Sequence, residues 1–317
     1  MKKLIVMLLL MGVAMTAMAQ QIAVVYESGT MRTCNTLLQA VRNATDGCVI
    51  YLPAGGFQIG DTVRINHRVS IIGLNHKSKS LNADGMTSIS GNLFFDEGSS
   101  GSVVMGCYIS GSVKIGYDGN AVHNIFVRYC NVNSVDVQNS LCTGTTINQC
   151  YVRSTCYFNG APAIMTHNVM SGVSNLIGGV LDYNNIVTGS INASNSTISN
   201  NIFLILSTSC NTCQVRNNMQ HNSTWGDDYI SMSEAWSDIF KNPLPGISSN
   251  ANFHFKEGFE DWETKVGIYA GQSAGSINYF HDDALPPVPY VQAKVVPEST
   301  DFDGKINVTL TVKDGSK

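Results

Sequence analysis

"VRYCNVNSVDVQNSLCTGTTINQCYV", Val127 to Val152, opens and closes on nearly the same phrase. "VRYCNV" and "INQCYV" share an apolar residue, two polar residues, a cysteine, one polar residue and another apolar one, offset by 20 residues. With Cys130 and Cys150 as position zero, the frame extends to Cys107, Asn168, Asn184, Asn201 and Asn218, in steps of 23, 20, 18, 16, 17 and 17. Three residues before each lie Val104, Val127, Ile147, Met165, Leu181, Ile198 and Val215, all apolar. Two residues after lie Ile109, Val132, Val152, Met170, Ile186, Phe203 and Gln220, of which only the last is polar.

A step near 18 residues is too short for a helix-pair repeat or a propeller blade. It fits a solenoid whose coils each hold two or three short strands. Successive coils then stack about 4.8 Å apart, and the apolar columns fill the interior. The Asn/Cys column falls at an inward bend, where a turn leaves backbone groups in need of partners. Stacked Asn side chains can hydrogen-bond along such a column, and Cys is a small apolar substitute for the same slot. In-register side chains point the same way, so Cys107, Cys130 and Cys150 are expected as thiols.

The composition agrees. Only 13% of residues are charged and the net charge is −4, which gives no basis for binding nucleic acid or an anionic membrane. Abundant Gly, Ser, Thr and Asn suit short strands and tight turns. "MKKLIVMLLLMGVAMTAMAQ" reads as a bacterial-type secretory signal over residues 1–19, with cleavage before Gln20. A membrane anchor is the alternative, but the run is short for a span. An exported chain is therefore expected, periplasmic, cell-surface or extracellular, with no membrane span once mature. Residues 20–284 would form the solenoid with its cap and closing segment. Residues 285–317 would form a Pro-rich linker, "LPPVPY", and a hairpin of "YVQAKVVP" with "KINVTLTV".

"TLLQAVRNA", Thr36 to Ala44, has helix formers with apolar residues on one face, and "CVIYLPAGGFQIG" and "TVRINHRVSIIGL" follow as strands. A capping helix, a strand like "VIYLPAG" and one like "VSIIG" resemble the start of right-handed parallel β-helix proteins of the pectin-lyase-like superfamily. "NFHFKEGFEDWETKVGIYAG", Asn252 to Gly271, resembles the closing segment of bacterial secreted members. The resemblance covers roughly Cys34 to Gly271 and implies an all-β, single-stranded right-handed parallel β-helix. It says little about activity, because that superfamily hosts lyases, hydrolases, epimerases, adhesins and inactive members. Before the closing segment, "SMSEAWSDIFKNP" reads as a short helix capped by Ser231 and Glu234.

The lyase-like members hold calcium with clustered carboxylates, and the glycosidase-like members use paired acids. Between Gly101 and Trp225 this chain has three carboxylates, Asp118, Asp136 and Asp182, at three different positions of the repeat. No calcium site is expected on the coils, and no metal or cofactor pattern is read. Arg128 and Arg216 share a column with Asp182, but two or three coils separate them, so no direct pair is expected.

The column before the Asn/Cys position holds Gly106, Tyr129, Gln149, His167, Tyr183, Asn200 and Asn217, and the one after holds Tyr108, Asn131, Tyr151 and Asn185. Facing outward, either would offer ring faces and amides suited to sugars. Tyr129, Tyr151, His167 and Tyr183 are the candidate ligand residues. The plain alternative is an ordinary solvated solenoid face, with His167 a turn residue. Asp227 and Asp228 beside Trp225 read as a turn or as a pocket against the closing segment. Of the nine cysteines, Cys34 and Cys48 flank the capping helix and are close enough in sequence to be bridged. "CNTC" at Cys210 and Cys213 lacks the partners of a zinc site or the context of a thioredoxin motif and reads as a turn pair, open to oxidation. Cys142 and Cys156 have no assigned role. The function expected is an exported module binding polysaccharide or a cell-surface protein. The alternative is a carbohydrate-active enzyme with acids supplied by loops.

Overall fold

In the computed structural model the described residues are 21–59, 63–77, 85–186, 190–204, 207–243, 247, 250–271, 280, 290–295 and 309–313. The signal segment and the "LPPVP" linker lie outside them. Among the described residues the strands form three long sheets of eleven, ten and eight strands and two two-stranded pairs. Each coil gives one strand to each long sheet. Phe126–Arg128, Asn131–Val132 and Val135–Val137 make one coil, and Thr145–Asn148, Tyr151–Val152 and Cys156–Tyr157 the next. The coils pair in parallel, which makes the chain a parallel β-solenoid.

The register follows the repeat. Val104, Val127, Ile147, Met165, Leu181, Ile198 and Val215 are successive partners across the eleven-stranded sheet. Ile109 through Gln220 are successive partners across the ten-stranded sheet. Gln220, the polar exception, is fully buried in the last coil, and its Nε2 donates to Trp225 O at 3.0 Å.

Cys107, Cys130, Cys150, Asn168, Asn184, Asn201 and Asn218 are all fully buried at one bend. Each Asn Oδ1 accepts the backbone N–H of the preceding rung: Cys150, Asn168, Asn184 and Asn201 donate at 2.9, 3.0, 2.9 and 2.9 Å. Each Asn Nδ2 donates to the carbonyl three residues before the preceding rung, on Ile147, Met165, Leu181 and Ile198 in turn. The thiols of Cys150 and Cys130 reach the equivalent carbonyls of Val127 and Val104, at 3.4 and 3.7 Å. Cysteine is therefore more than an apolar filler here, since it makes a weaker version of the amide's bond.

The first coil is closed as the sequence suggests, with one addition. The helix α1 (Leu37–Asn43) is N-capped by Thr36, whose Oγ1 accepts from Gln39 N at 3.1 Å, and it buries Leu37, Ala40 and Val41. An antiparallel strand, Ile22–Val25, pairs with both Met31–Cys34 and Cys48–Leu52 and covers the sheet edge. The short helix α2 (Trp236–Ile239) is present, but the Ser231 cap is not. Ser231 lies in the strand Ile230–Met232, which extends the ten-stranded sheet, and the N-cap residue is Ala235. Sheet extension claimed the residue that local pattern gave to the helix. Tyr290–Val295 and Thr309–Lys313 pair antiparallel, as a hairpin requires.

All nine cysteines are thiols. Cys34 and Cys48 are unbridged: Cys34 accepts from Asn43 Nδ2 and Cys48 from Thr45 N. Cys142 and Cys156 are core residues; the Cys142 sulfur accepts from Val122 N, and Cys156 sits in register with Val173. Among the described residues no helix is long and apolar enough to cross a membrane.

Candidate functional site

Strand alternation sets the face. The inward column ends one residue before Met105, Arg128, Asn148, Thr166, Asp182, Ser199 and Arg216, so this row points outward. The seven are successive register partners across the eleven-stranded sheet. Its middle, with Thr146, His167 and Tyr183, lines an open cleft of about 250 Å³.

Within the cleft Asn148 Nδ2 donates to Thr166 Oγ1 at 2.9 Å. Asp182 Oδ1 accepts from Ser199 Oγ at 3.0 Å and Asn200 Nδ2 at 2.8 Å. The Arg128 guanidinium lies 5.3 Å from the Phe126 ring centre, and its buried Nε has no hydrogen-bond partner. Arg128 and Asp182 form no ion pair among the described residues. Two opposite charges thus line one cleft without neutralising each other, with neutral amide and hydroxyl groups between them.

The residue after each row member is in the left-handed conformation: Gly106, Tyr129, Gln149, His167, Tyr183, Asn200 and Asn217 have φ of 68, 50, 54, 55, 53, 57 and 53°. Such a bend suits Gly and Asn, and for Tyr or Gln it costs about 1–2 kcal/mol. What these side chains touch explains their presence. Gln149 Nε2 donates to Tyr129 Oη at 3.1 Å. His167 stacks on Tyr183 at 5.4 Å and 20°, and donates from Nε2 to Ala270 O at 3.0 Å. That carbonyl only accepts, which fixes the Nε2–H tautomer and leaves the buried Nδ1 unpartnered. Burial lowers the His167 pKa, opposed by the bond to Ala270 and by Asp182, so the ring is neutral near pH 7. Burial raises the Tyr183 and Tyr129 phenols.

The expectation of open tyrosine faces is therefore corrected. Tyr129 and Tyr151 are 4% and 1% exposed, and His167 is 4% exposed. Tyr151 meets His76 and Phe280 edge-on, at 5.5 and 5.7 Å. The closing segment folds back over this side of the coils, where Gly267 N also donates to Asn200 O at 2.8 Å. Only Tyr183 keeps a half-buried ring at the cleft.

No family model, curated protein or solved structure matches this chain. The site is accordingly read from its own geometry. The three coil carboxylates lie apart: Asp118 pairs with Arg64 at 3.2 Å, Asp136 lies on the eight-stranded sheet in register with Lys114 and Tyr157, and Asp182 faces the cleft. Among the described residues no three His, Cys, Asp or Glu side chains gather as a metal site. Asp227 closes a turn over the last coil, its N donating to Val215 O at 2.8 Å and its O accepting from Asn217 N at 3.0 Å. It also lines a second cleft with Trp225 and Arg216, away from the closing segment. Asn148 and Thr166 were missed in the sequence because they do not titrate. Listing every residue of the Arg128–Asp182 column would have found them.

Proposed function

We propose that this chain is an exported β-helix module that binds a glycan along the outward face of its eleven-stranded sheet. The observation that carries the reading is the unbroken row Arg128–Asn148–Thr166–Asp182, which lines an open cleft bordered by the Tyr183–His167 stack. Each sugar hydroxyl both donates and accepts. The row supplies a donor (Arg128), an acceptor (Asp182) and between them the Thr166 hydroxyl, held by the Asn148 amide, on coils about 4.8 Å apart. A half-buried ring edge at one wall suits the apolar face of a pyranose. The capping helix, the strands after it and the stacked coils are the features shared with the pectin-lyase-like superfamily, and they support placing the chain beside it.

A carbohydrate-active enzyme is the second reading, favoured by the neutral His167 in the cleft wall with an unpartnered Nδ1. A glycan array probed with the purified chain tests the binding reading, with release of unsaturated uronates or new reducing ends measured on every glycan that binds. Binding without product supports the module. Product formation that is lost in His167→Gln supports the enzyme. No binding to any glycan contradicts both.

A further inference from the structure

The last full coil ends differently from those before it. In the eight-stranded sheet Leu176, Ala193 and Cys210 are successive register partners pointing inward. At the next corner Ser196 Oγ donates to Ser194 O at 2.8 Å, and Cys213 repeats that bond one coil later, its Sγ lying 3.8 Å from Asn211 O. The interior coil fills these two slots with Ala193 and Ser196; the terminal coil fills both with thiols. Thr212, between them, has φ of 55°, which turns the chain sharply enough to aim both side chains inward. The two thiols lie three residues apart in the chain and both pack against the same core. With Val215 and Trp225 they are the partly buried residues that face the end of the core. The other seven cysteines are fully buried or nearly so. Cys213 also borders the open cleft of about 510 Å³ that Trp225 and Asp227 share.

We propose that Cys210 and Cys213 are a reversible dithiol–disulfide latch that closes the end of the solenoid core, set by exchange with a low-molecular-weight or protein disulfide. The Cys213 thiolate, at the cleft, attacks one sulfur of the donor R–S–S–R. That S–S bond breaks, a Cys213–S–S–R bond forms and R–S⁻ leaves. The Cys210 thiolate then displaces the second R–S⁻ from the Cys213 sulfur, which makes the intramolecular bond. The two thiol protons pass to the two R–S⁻ groups; the protein dithiol is oxidised by two electrons and the donor is reduced to two thiols. Burial and the neighbouring Cys213 push the Cys210 thiol up to about 12, which suits it to the second, intramolecular step rather than to first attack. The latch joins the last strand of the eight-stranded sheet to the corner leading into the last strand of the eleven-stranded sheet, and among the described residues no further strand joins either sheet at that end.

The test is native-state alkylation of the full chain before and after incubation with oxidised glutathione, followed by peptide mass mapping. In the reduced chain, Cys210 and Cys213 react with iodoacetamide and the other seven react only after denaturation. After oxidation neither reacts, their peptide has lost two hydrogens, and reductant restores both. Thermal unfolding then occurs at a higher temperature for the oxidised chain than for the reduced one. In Cys210→Ser, glutathione stays on Cys213 as a mixed disulfide and the reductant-dependent shift disappears. Persistent alkylation of both thiols after oxidation, stable glutathione on the wild-type pair, or disulfide-linked dimers in place of the internal bond would overturn the proposal.

Discussion

Asn184 shows how much one side chain does in this fold. Its Oδ1 accepts from the backbone and side chain of Asn168 at 3.0 Å each, and its Nδ2 reaches Met165 O at 2.9 Å. Asn184→Leu removes an acceptor that two buried donors need, and such groups cost about 1–3 kcal/mol each when left unmade. A loss of at least about 2 kcal/mol in urea unfolding is expected. Cys150→Asn should be far milder, because an amide at that rung meets the same Val127 carbonyl that the thiol meets now. His76 is a second residue with a measurable signature. It is fully buried, with its pKa pushed down to about 3 by burial and by the neighbouring Lys77 charge. An unfolded imidazole titrates near about 6.5. Between those values the unfolded chain holds a proton that the folded chain does not, so stability falls as pH drops from about 6.5 and levels off below about 3. The contribution is on the order of a few kcal/mol across that window. His76→Asn should flatten the acid limb of stability against pH while leaving its neutral part shifted by a constant.

The closing segment is the element that sequence columns described least well. Positions −3, 0 and +2 of the repeat were legible because all three point into the coil, and burial there depends only on neighbouring coils. The flanking positions face out, and whether an outward ring is buried depends on chain folding back from 100 residues away, as with His167 and Ala270 (|i−j| = 103). A signal existed. Val169, Ile202 and Met219 follow Tyr151 as apolar outward residues on the ten-stranded sheet, with Asn185 in register between Val169 and Ile202, and all four apolar residues join the cluster with Phe253, Tyr269 and Phe280. A mostly apolar column on an outer face announces a cover. Tyr151→Ala should therefore cost about 3–5 kcal/mol, as for other buried aromatics, with melting temperature as the readout. Gly271 makes the same point from the segment's side. It has φ of 75°, and a Cβ there would lie 2.6 Å from Tyr183 Cζ. Gly271→Val should loosen the segment, seen as faster hydrogen exchange at residues 266–271 while the coils stay protected.

At the scale of the whole molecule the three faces divide the work. The ten-stranded face is largely covered by the chain's own C-terminal segment. The eight-stranded face carries Arg64, Phe94 and Lys114, with cations 5.8 and 5.3 Å from the Phe94 ring, and is held by the Arg64–Asp96 pair at 2.8 Å. The eleven-stranded face keeps an open cleft between Arg128 and Asp182. Sequence alone placed the solenoid and its register, since seven copies of one pattern allow few alternatives. It did not place the site, because a groove built from Asn, Thr and one acid has no motif and becomes visible only when coils are stacked. The reading of that groove as a glycan site is tested most directly by calorimetric titration of the best array glycan into the wild type, Asp182→Ala and Tyr151→Ala, each at matched folded fraction. The account predicts an affinity loss of at least about tenfold, or about 1.4 kcal/mol, for Asp182→Ala, measured on the folded fraction because the lost bonds to Ser199 and Asn200 also lower the melting temperature. Tyr151→Ala should lower the melting temperature and leave affinity intact. Unchanged affinity in Asp182→Ala would contradict it.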